Sequence, residues 1–419
     1  MRPPSTSELC VLCKGSRLLC GKASCPVLMR QLAIAPLKKV ILSKEIFGSS
    51  PPALFVGRYN YPRVSVGPLI PPYLDDNALI LNEPDFWYGK PIDTIVNYRT
   101  SLVRSVFPVN VKKPQDNRFL ETSQLIIMAK SPVDTEAIFE KEPRFRLEFD
   151  SYSQPMGPIG KVEKVVIAEN PKIHPKLDYV VSDTDLKARP ASISLYKMGF
   201  SVTQINQLLS AGLLGTHKHR RLVPTRWSIT TVDSIISKSL IQGIKCYPEI
   251  SENMLFESNY LDNHFKIILI PSSWSFEMLE TWYPGSAWVA QGHEPIIVND
   301  YEFYSGRKDY ASRVAGAYYA ARLAIGEYLN RVRRQAAALI LREVRPGYVL
   351  PLGVWQIREN VRNAMKTKPK RYTNLDDALK TAGRSLIIPL EKWLEKSQLY
   401  DFFRRQTRLD TFDGTRRYT

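Results

Sequence analysis

An α+β fold is predicted by three features of the sequence. Short alternating runs such as Arg144-Phe145-Arg146-Leu147-Glu148-Phe149 read as half-buried strands, capping boxes open helices between them, and a helical apolar repeat runs through the last quarter. The expected arrangement is an N-terminal zinc-knuckle module over 1–30, a mixed strand-rich central body over 31–300, a mainly α basic region over 301–400 and a flexible tail over 401–419. A chain of 419 residues has room for two or three cores, and 44% hydrophobic with 24% charged residues is ordinary for a folded soluble protein. No apolar run approaches the ~18 residues of a membrane span. Met1-Arg2-Pro3-Pro4 meets cysteines before any apolar h-region forms, so no secretory signal and a cytoplasmic location are expected.

The first module rests on Cys10, Cys13, Cys20 and Cys25, four of the five cysteines, spaced C-x2-C-x6-C-x4-C. Clustered thiols without a secretory signal read as metal ligands before disulfides. Four thiolates fill a tetrahedral site and leave no position for chemistry, so structural zinc is the expectation, with an iron–sulfur cluster or two disulfides as alternatives. Residues 31–115 are dense in proline, glycine and aromatics, and short strands with turns are predicted there. Within them Arg58, Tyr59, Tyr61 and Arg63 alternate basic and aromatic groups, as a nucleic-acid surface or a strand with one wet face would.

From 116 to 300, strands are predicted at Gln124–Ala129, Val162–Ala168, Lys266–Ile270 and Pro295–Val298. Ser201-Val202-Thr203-Gln204 opens a helix to Leu214, and Thr230-Thr231-Val232-Asp233 opens another ending before Gly243. Between these helices lies His217-Lys218-His219-Arg220-Arg221-Leu222-Val223-Pro224-Thr225-Arg226-Trp227-Ser228, predicted to carry a short strand. Arg220, Arg221 and Arg226 are candidates to bind phosphate, and Trp227 either stacks on a base or fills the core. Thr225 and Ser228 join the three arginines as candidate catalytic groups, because a helix start nearby collects N–H donors. No paired-aspartate nuclease spacing, Gly-rich phosphate loop or H-E-x-x-H accompanies them.

The periodicity Val314, Tyr318, Ala321, Ile325, Tyr328, Val332, Ala336, Leu339 predicts one long helix closed by Pro346-Gly347, spanning roughly 45 Å at 1.5 Å per residue. Arg313, Arg322, Arg331, Arg334, Arg342 and Arg345 lie on its other faces, and Lys366–Arg371 reads as a basic loop. Of the net charge of +17, residues from Tyr304 onward hold 24 Lys and Arg against 11 Asp and Glu, leaving 34 against 30 before them. Such a lopsided surplus is the footprint of a polyanion binder.

Near the C-terminus, Gln406-Thr407-Arg408-Leu409-Asp410-Thr411-Phe412 has the Gln-x-x-Leu-x-x-Phe spacing of sliding-clamp peptides, with Asp413 where a second aromatic is usual. Together with Leu9-Cys10-Val11-Leu12-Cys13-Lys14-Gly15 and Arg221-Leu222-Val223-Pro224-Thr225-Arg226-Trp227-Ser228-Ile229-Thr230, this box makes the chain resemble the archaeal Nre family of DNA-repair proteins. The resemblance implies a role in DNA-damage resistance and binding of the archaeal sliding clamp (PCNA) through Gln406, Leu409 and Phe412. Three functions are therefore open: a clamp-recruited factor that binds DNA, an enzyme acting on DNA or a nucleotide around Arg220–Ser228, and an RNA-binding or scaffold protein. No membrane partner is expected.

Overall fold

A computed structural model describes residues 10, 12–41, 43–114, 117–145, 154–287, 289 and 294–405. Strands β1 (Glu45–Ser50), β2 (Leu54–Val56), β3 (Arg63–Ile70), β4 (Val103–Asn110), β5 (Val133–Phe139) and β6 (Ile159–Ile167) form one sheet in the order β1-β5-β6-β4-β3-β2. Its pairs are antiparallel except β4 with β6. The helices of this half are α1 (Pro26–Val40), α2 (Ile92–Ser101), α3 (Arg118–Met128), α4 (Pro175–Ser182), α5 (Ala188–Lys197) and α6 (Val202–Ser210). Val66, Phe107, Ile127 and Leu208 mark the core between that sheet and its helices.

The expected strand at 124–129 lies instead inside α3, apart from Ala129. The Asn117 side chain accepts the N–H groups of Phe119 and Leu120 at 3.1 Å, and such a cap commits the short apolar run to a helix. The capping signal at Ser201 holds, its hydroxyl accepting the Gln204 N–H at 3.1 Å. The helix stops at Ser210, before the left-handed Gly212 and short of Leu214.

Helix α7 (Thr225–Ile244) starts one turn and more before the predicted Thr230. Pro224 stands at its N-cap, and the expected short strand ahead of it is extended chain without a ladder. Val232 and Ile236 of α7 enter the first core, while Ile241 and Ile244 enter a second. That core lies on β7 (Asn253–Tyr260), β8 (Asn263–Ile270), β9 (Ser275–Trp282), β10 (Ile297–Glu302), β11 (Ala337–Val344) and β12 (Lys370–Tyr372), in the order β10-β9-β11-β8-β7-β12. This sheet draws strands from both sides of residue 300. It is covered on one face by α7, α8 (Gly316–Val332) and α9 (Trp355–Ala364), and on the other by α10 (Leu375–Gly383), α11 (Leu390–Leu394) and α12 (Gln398–Arg405).

The long helix predicted through Leu339 is thus two elements. α8 ends where Arg333 turns left-handed at φ 51°, and Ala337–Val344 becomes the central strand β11, buried at all eight positions. A strand buried on both faces carries a continuous apolar run, which mimics a helical stripe when read by period alone. Part of the predicted basic loop at 366–371 is likewise drawn into β12. Among the described residues no helix is long and apolar enough to cross a membrane.

Burial of β11 forces its charges to find partners. Arg342 stands in register with Glu280 of β9 and is hydrogen-bonded to it, and its Nε also donates to Asn263 Oδ1 at 3.1 Å. Glu277, fully buried in β9, accepts the N–H groups of Gln398 and Leu399 at 2.9 Å and the Ser397 hydroxyl at 2.5 Å, capping α12 from the sheet. Removing one partner of a buried pair strands the other, so Arg342→Met or Glu280→Gln alone should cost about 3–5 kcal/mol in urea denaturation. Replacing both by apolar residues should recover much of that loss; an unmoved midpoint for either single variant would show the pair contributes nothing.

Candidate nucleic-acid interface

Two stretches singled out in the sequence meet at the first turn of α7. The β2–β3 turn brings Arg58, Tyr59, Tyr61 and Arg63 to the surface, and the Tyr61 ring lies 5.7 Å from that of Trp227 at an interplanar angle of 49°. Trp227 is therefore no core residue: Tyr59, Tyr61 and Trp227 are 77%, 48% and 47% exposed. The arrangement is held by backbone. Gly57 N–H donates to Ser65 O at 2.8 Å, Val111 N–H to Pro62 O at 2.9 Å and Leu222 N–H to Val111 O at 3.3 Å. Val56 N–H donates to the Thr225 hydroxyl at 2.9 Å, tying the hairpin to the helix start.

Exposed cations ring the aromatics. Arg58, whose guanidinium sits 5.3 Å from the Tyr59 ring centre, is joined by Arg63, Lys112, Lys113, Arg221 and Arg226. Among the described residues none of the six is ion-paired to a carboxylate. Tyr310, 54% exposed, lies in the field of Arg226 with its hydroxyl bonded to Thr230.

Other sequence candidates are placed elsewhere. Arg220 turns inward, its Nε donating to Gly215 O at 2.9 Å and its Nη2 to Val181 O at 2.6 Å, where it satisfies carbonyls at the end of α4. Burial holds its guanidinium below the usual range, with Asp183 opposing. Ser228 is fully buried, its Oγ donating to Thr225 O at 3.0 Å and lying 3.3 Å from Ser210 Oγ. Thr225 spends its hydroxyl on Val56. The stretch therefore offers solvent two guanidiniums and an indole, and no hydroxyl nucleophile at Ser228.

The arginines expected on the other faces of one long helix do not form a stripe. Arg322 is buried against Glu302 at 2.7 Å, Arg342 against Glu280, and Arg345 pairs with Glu343 at 2.7 Å. Arg331 donates to Met365 O at 3.2 Å. Arg322, Arg342 and Arg345 are thus spent on partners within the fold, while Arg313, Arg331 and Arg334 are exposed.

In the cysteine segment Cys10, Cys13, Cys20 and Cys25 are free thiols. The Leu19 N–H, helped by those of Gly15, Arg17 and Leu18, holds the Cys13 thiol below its usual range. Burial and then Cys20, Cys25 and Cys13 push Cys10 up. Among the described residues no group of three or more His, Cys, Asp or Glu is gathered as a metal cage. The segment docks on the second half through Lys22, whose Nζ donates to Ser286 O at 2.7 Å and whose pKa is lowered by burial to about 8. Gln406, Leu409 and Phe412 lie outside the described residues.

A polar seam between the halves gave no signal in the sequence. Arg362 grips Glu327 with two bonds of 2.8 and 2.7 Å and also reaches Glu359 at 2.8 Å and Asp85 at 3.3 Å. Arg358 donates to the fully buried Asp233 at 2.9 Å. Beside them opens a cavity of ≈250 Å³ lined in part by Pro51, Asn82, Glu83, Lys130, Ser201 and Gln204. Glu83 Oε1 is buried there without a hydrogen-bond partner. Burial, then Asp85, pushes the Glu83 carboxyl up to about 7, and burial does the same to Glu359 against the pull of Arg362. Glu83 sits in Leu81-Asn82-Glu83-Pro84-Asp85, which matches no chemical motif, and only folding brings it to α9.

Residues 19–289 match the family model "Archaeal Nre, N-terminal" and residues 302–412 match "Archaeal Nre, C-terminal". DNA repair protein NreA of Archaeoglobus fulgidus is 39% identical over 409 residues, 97% of this chain and 99% of that protein. DNA repair protein NreB of the same organism is 37% identical over 398 residues, 95% of this chain and 98% of that protein. DNA repair protein NreA of Haloferax volcanii is 35% identical over 369 residues, 86% and 88% respectively. No solved structure matches the chain.

The seam makes stability depend on pH. Glu83 and Glu359 are raised in the folded state, so their penalty is absent below the unfolded pKa of 4.5, grows as pH rises, and is complete above about 7. Melting temperature should fall between pH 5 and 8, and Glu83→Gln should raise it at pH 8 while leaving it unchanged at pH 4. A variant less stable than the parent at pH 8 would mean the carboxylate has partners that stabilise it.

Proposed function

The chain belongs to the archaeal Nre family, and from that premise we propose that it is a cytoplasmic DNA-damage repair factor that binds DNA at the first turn of α7 and is recruited to the sliding clamp PCNA by its C-terminal peptide. One observation carries the DNA half of this reading: Arg221 and Arg226 stand exposed and unpaired beside Trp227 in a field of cations, although this chain pairs or buries many of its other arginines. Phosphates are the anions such a field attracts, and a DNA backbone presents them in series.

The clamp half is supported by the Gln406, Leu409 and Phe412 spacing, which sets two apolar anchors one helical turn apart. Asp413 in place of a second aromatic argues for modest affinity. The cysteine segment is proposed to hold one structural zinc through Cys10, Cys13, Cys20 and Cys25. Four unpaired thiols and the amide donors around Cys13 fit thiolate ligation, and binding would have to draw the four sulfurs together. Metal there would brace the segment that Lys22 fastens to the second half.

The DNA reading is tested by duplex titration across salt. Arg221→Ala with Arg226→Ala should weaken binding and reduce the log–log salt slope by about 0.9 for each lost phosphate contact. A slope equal to that of the parent removes these two arginines from the interface. In a clamp titration by calorimetry, Leu409→Ala with Phe412→Ala should abolish the heat of binding, and retention of affinity would remove the peptide from recruitment.

A further inference from the structure

We infer that the exposed rings of Tyr61 and Trp227, with Tyr59 on the same turn as Tyr61, stack the bases of single-stranded DNA, with the strand's phosphates held by Arg58, Arg221 and Arg226. The inference rests on the DNA reading above and adds which form of DNA the face takes. Tyr61 and Trp227 lie side by side, both exposed, and Tyr59, two residues before Tyr61, is 77% exposed, whereas other large rings of this protein fill its cores. Trp87, Trp274 and Trp393 are 0–1% exposed, as are Phe256, Phe265 and Phe276. In a duplex each base already has its faces covered by its neighbours, so exposed aromatics find nothing to stack upon. An unpaired strand offers a free face at every nucleotide.

Position and stiffness support the same ligand. Tyr61 and Trp227 are 166 residues apart in sequence yet their ring centres are 5.7 Å apart in space, and both stay about half exposed. Each aromatic has a cation next to it or two residues away: Arg58 beside Tyr59, Arg63 after Tyr61, Arg226 before Trp227. Alternating rings and guanidiniums match a strand in which bases and phosphates also alternate. The bonds from Val56 to Thr225, Pro62 to Val111 and Val111 to Leu222 fix the hairpin against the helix before any ligand arrives, so little ordering is required on binding. An acidic protein partner would satisfy the cations and leave the three rings with nothing flat to pair with.

The test uses the full chain and three probes at equal salt: fluorescein-labelled dT20, a blunt duplex with the same number of phosphates, and labelled rU20, followed by anisotropy. The expected result is that dT20 binds at least tenfold more tightly than the duplex. Trp227→Ala should lose roughly tenfold on dT20, in the range of one base–aromatic stack, and little on the duplex. Trp227→Phe keeps a ring and should keep most of the affinity, which separates stacking from damage to the fold; a matched melting temperature for Trp227→Ala confirms the same. Duplex binding equal to or tighter than dT20 overturns the inference and leaves the DNA reading standing. Binding of neither DNA sinks the DNA reading itself. Tighter binding of rU20 than of dT20 overturns the assignment to DNA.

Discussion

Helix α7 has to satisfy two hydrophobic cores at once, and most of the molecule follows from that constraint. Val232 and Ile236 pack with the first sheet while Ile241 and Ile244, two turns further on, pack with the second. A helix shared in this way cannot slide or rotate without opening one core or the other, because close-packed interiors tolerate little displacement. Its buried Asp233 adds a directional lock, since the carboxylate is bonded to Arg358 of α9 and would be stranded by any shift. The first turn, which carries Arg226 and Trp227, is therefore presented by a rigid element, even though the turn itself is at the surface.

Charge is distributed by the same logic. The second sheet is covered on both faces, so ionisable side chains on its strands must be bonded internally. Arg342 with Glu280, Glu277 with the start of α12, and Glu343 with the N–H groups of Ile387 and Ile388 are all of this kind. Arginines counted as surface charge in the sequence are consumed by these bonds. Among the described residues, cations unpaired to carboxylates remain exposed on both halves: Arg333, Arg334, Lys366, Lys368 and Lys392 on the second, and Arg58, Arg63, Lys112, Lys113, Arg221 and Arg226 on the first, around β2, β3 and α7, where the formal surplus was small. Net charge by sequence region therefore does not by itself say which cations face solvent and which are paired inside.

How much of this was legible depended on whether the deciding information was local. The short apolar runs of β6 and β8 and the Ser201 cap were readable, because each is a property of a few neighbouring residues. The break at Arg333 was not, since Ala336-Ala337-Ala338-Leu339-Ile340-Leu341 continues a helical period by accident and becomes a strand only because β8 and β9 are waiting on either side. Of the central stretch, the importance of Arg221, Arg226 and Trp227 as an exposed set could be suspected from composition. That Arg220 faces inward, that Ser228 is buried, and that Tyr61 is the neighbour of Trp227 are facts of packing between distant segments. Glu83 and Glu359 belong to the same class: neither has a motif, and their perturbation exists only once folding buries them beside Asp85.

The capping of α12 by Glu277 bears on how a clamp-bound molecule would be held. Gln406 follows directly on Arg405, the last residue of that helix, and the helix is pinned to the sheet by its first turn. A peptide engaged through Gln406 would leave no slack between itself and the body. The protein would then stand on the clamp as a bracket instead of hanging from it on a leash, with a high effective concentration over one restricted set of orientations. Lengthening that junction would trade reach for aim.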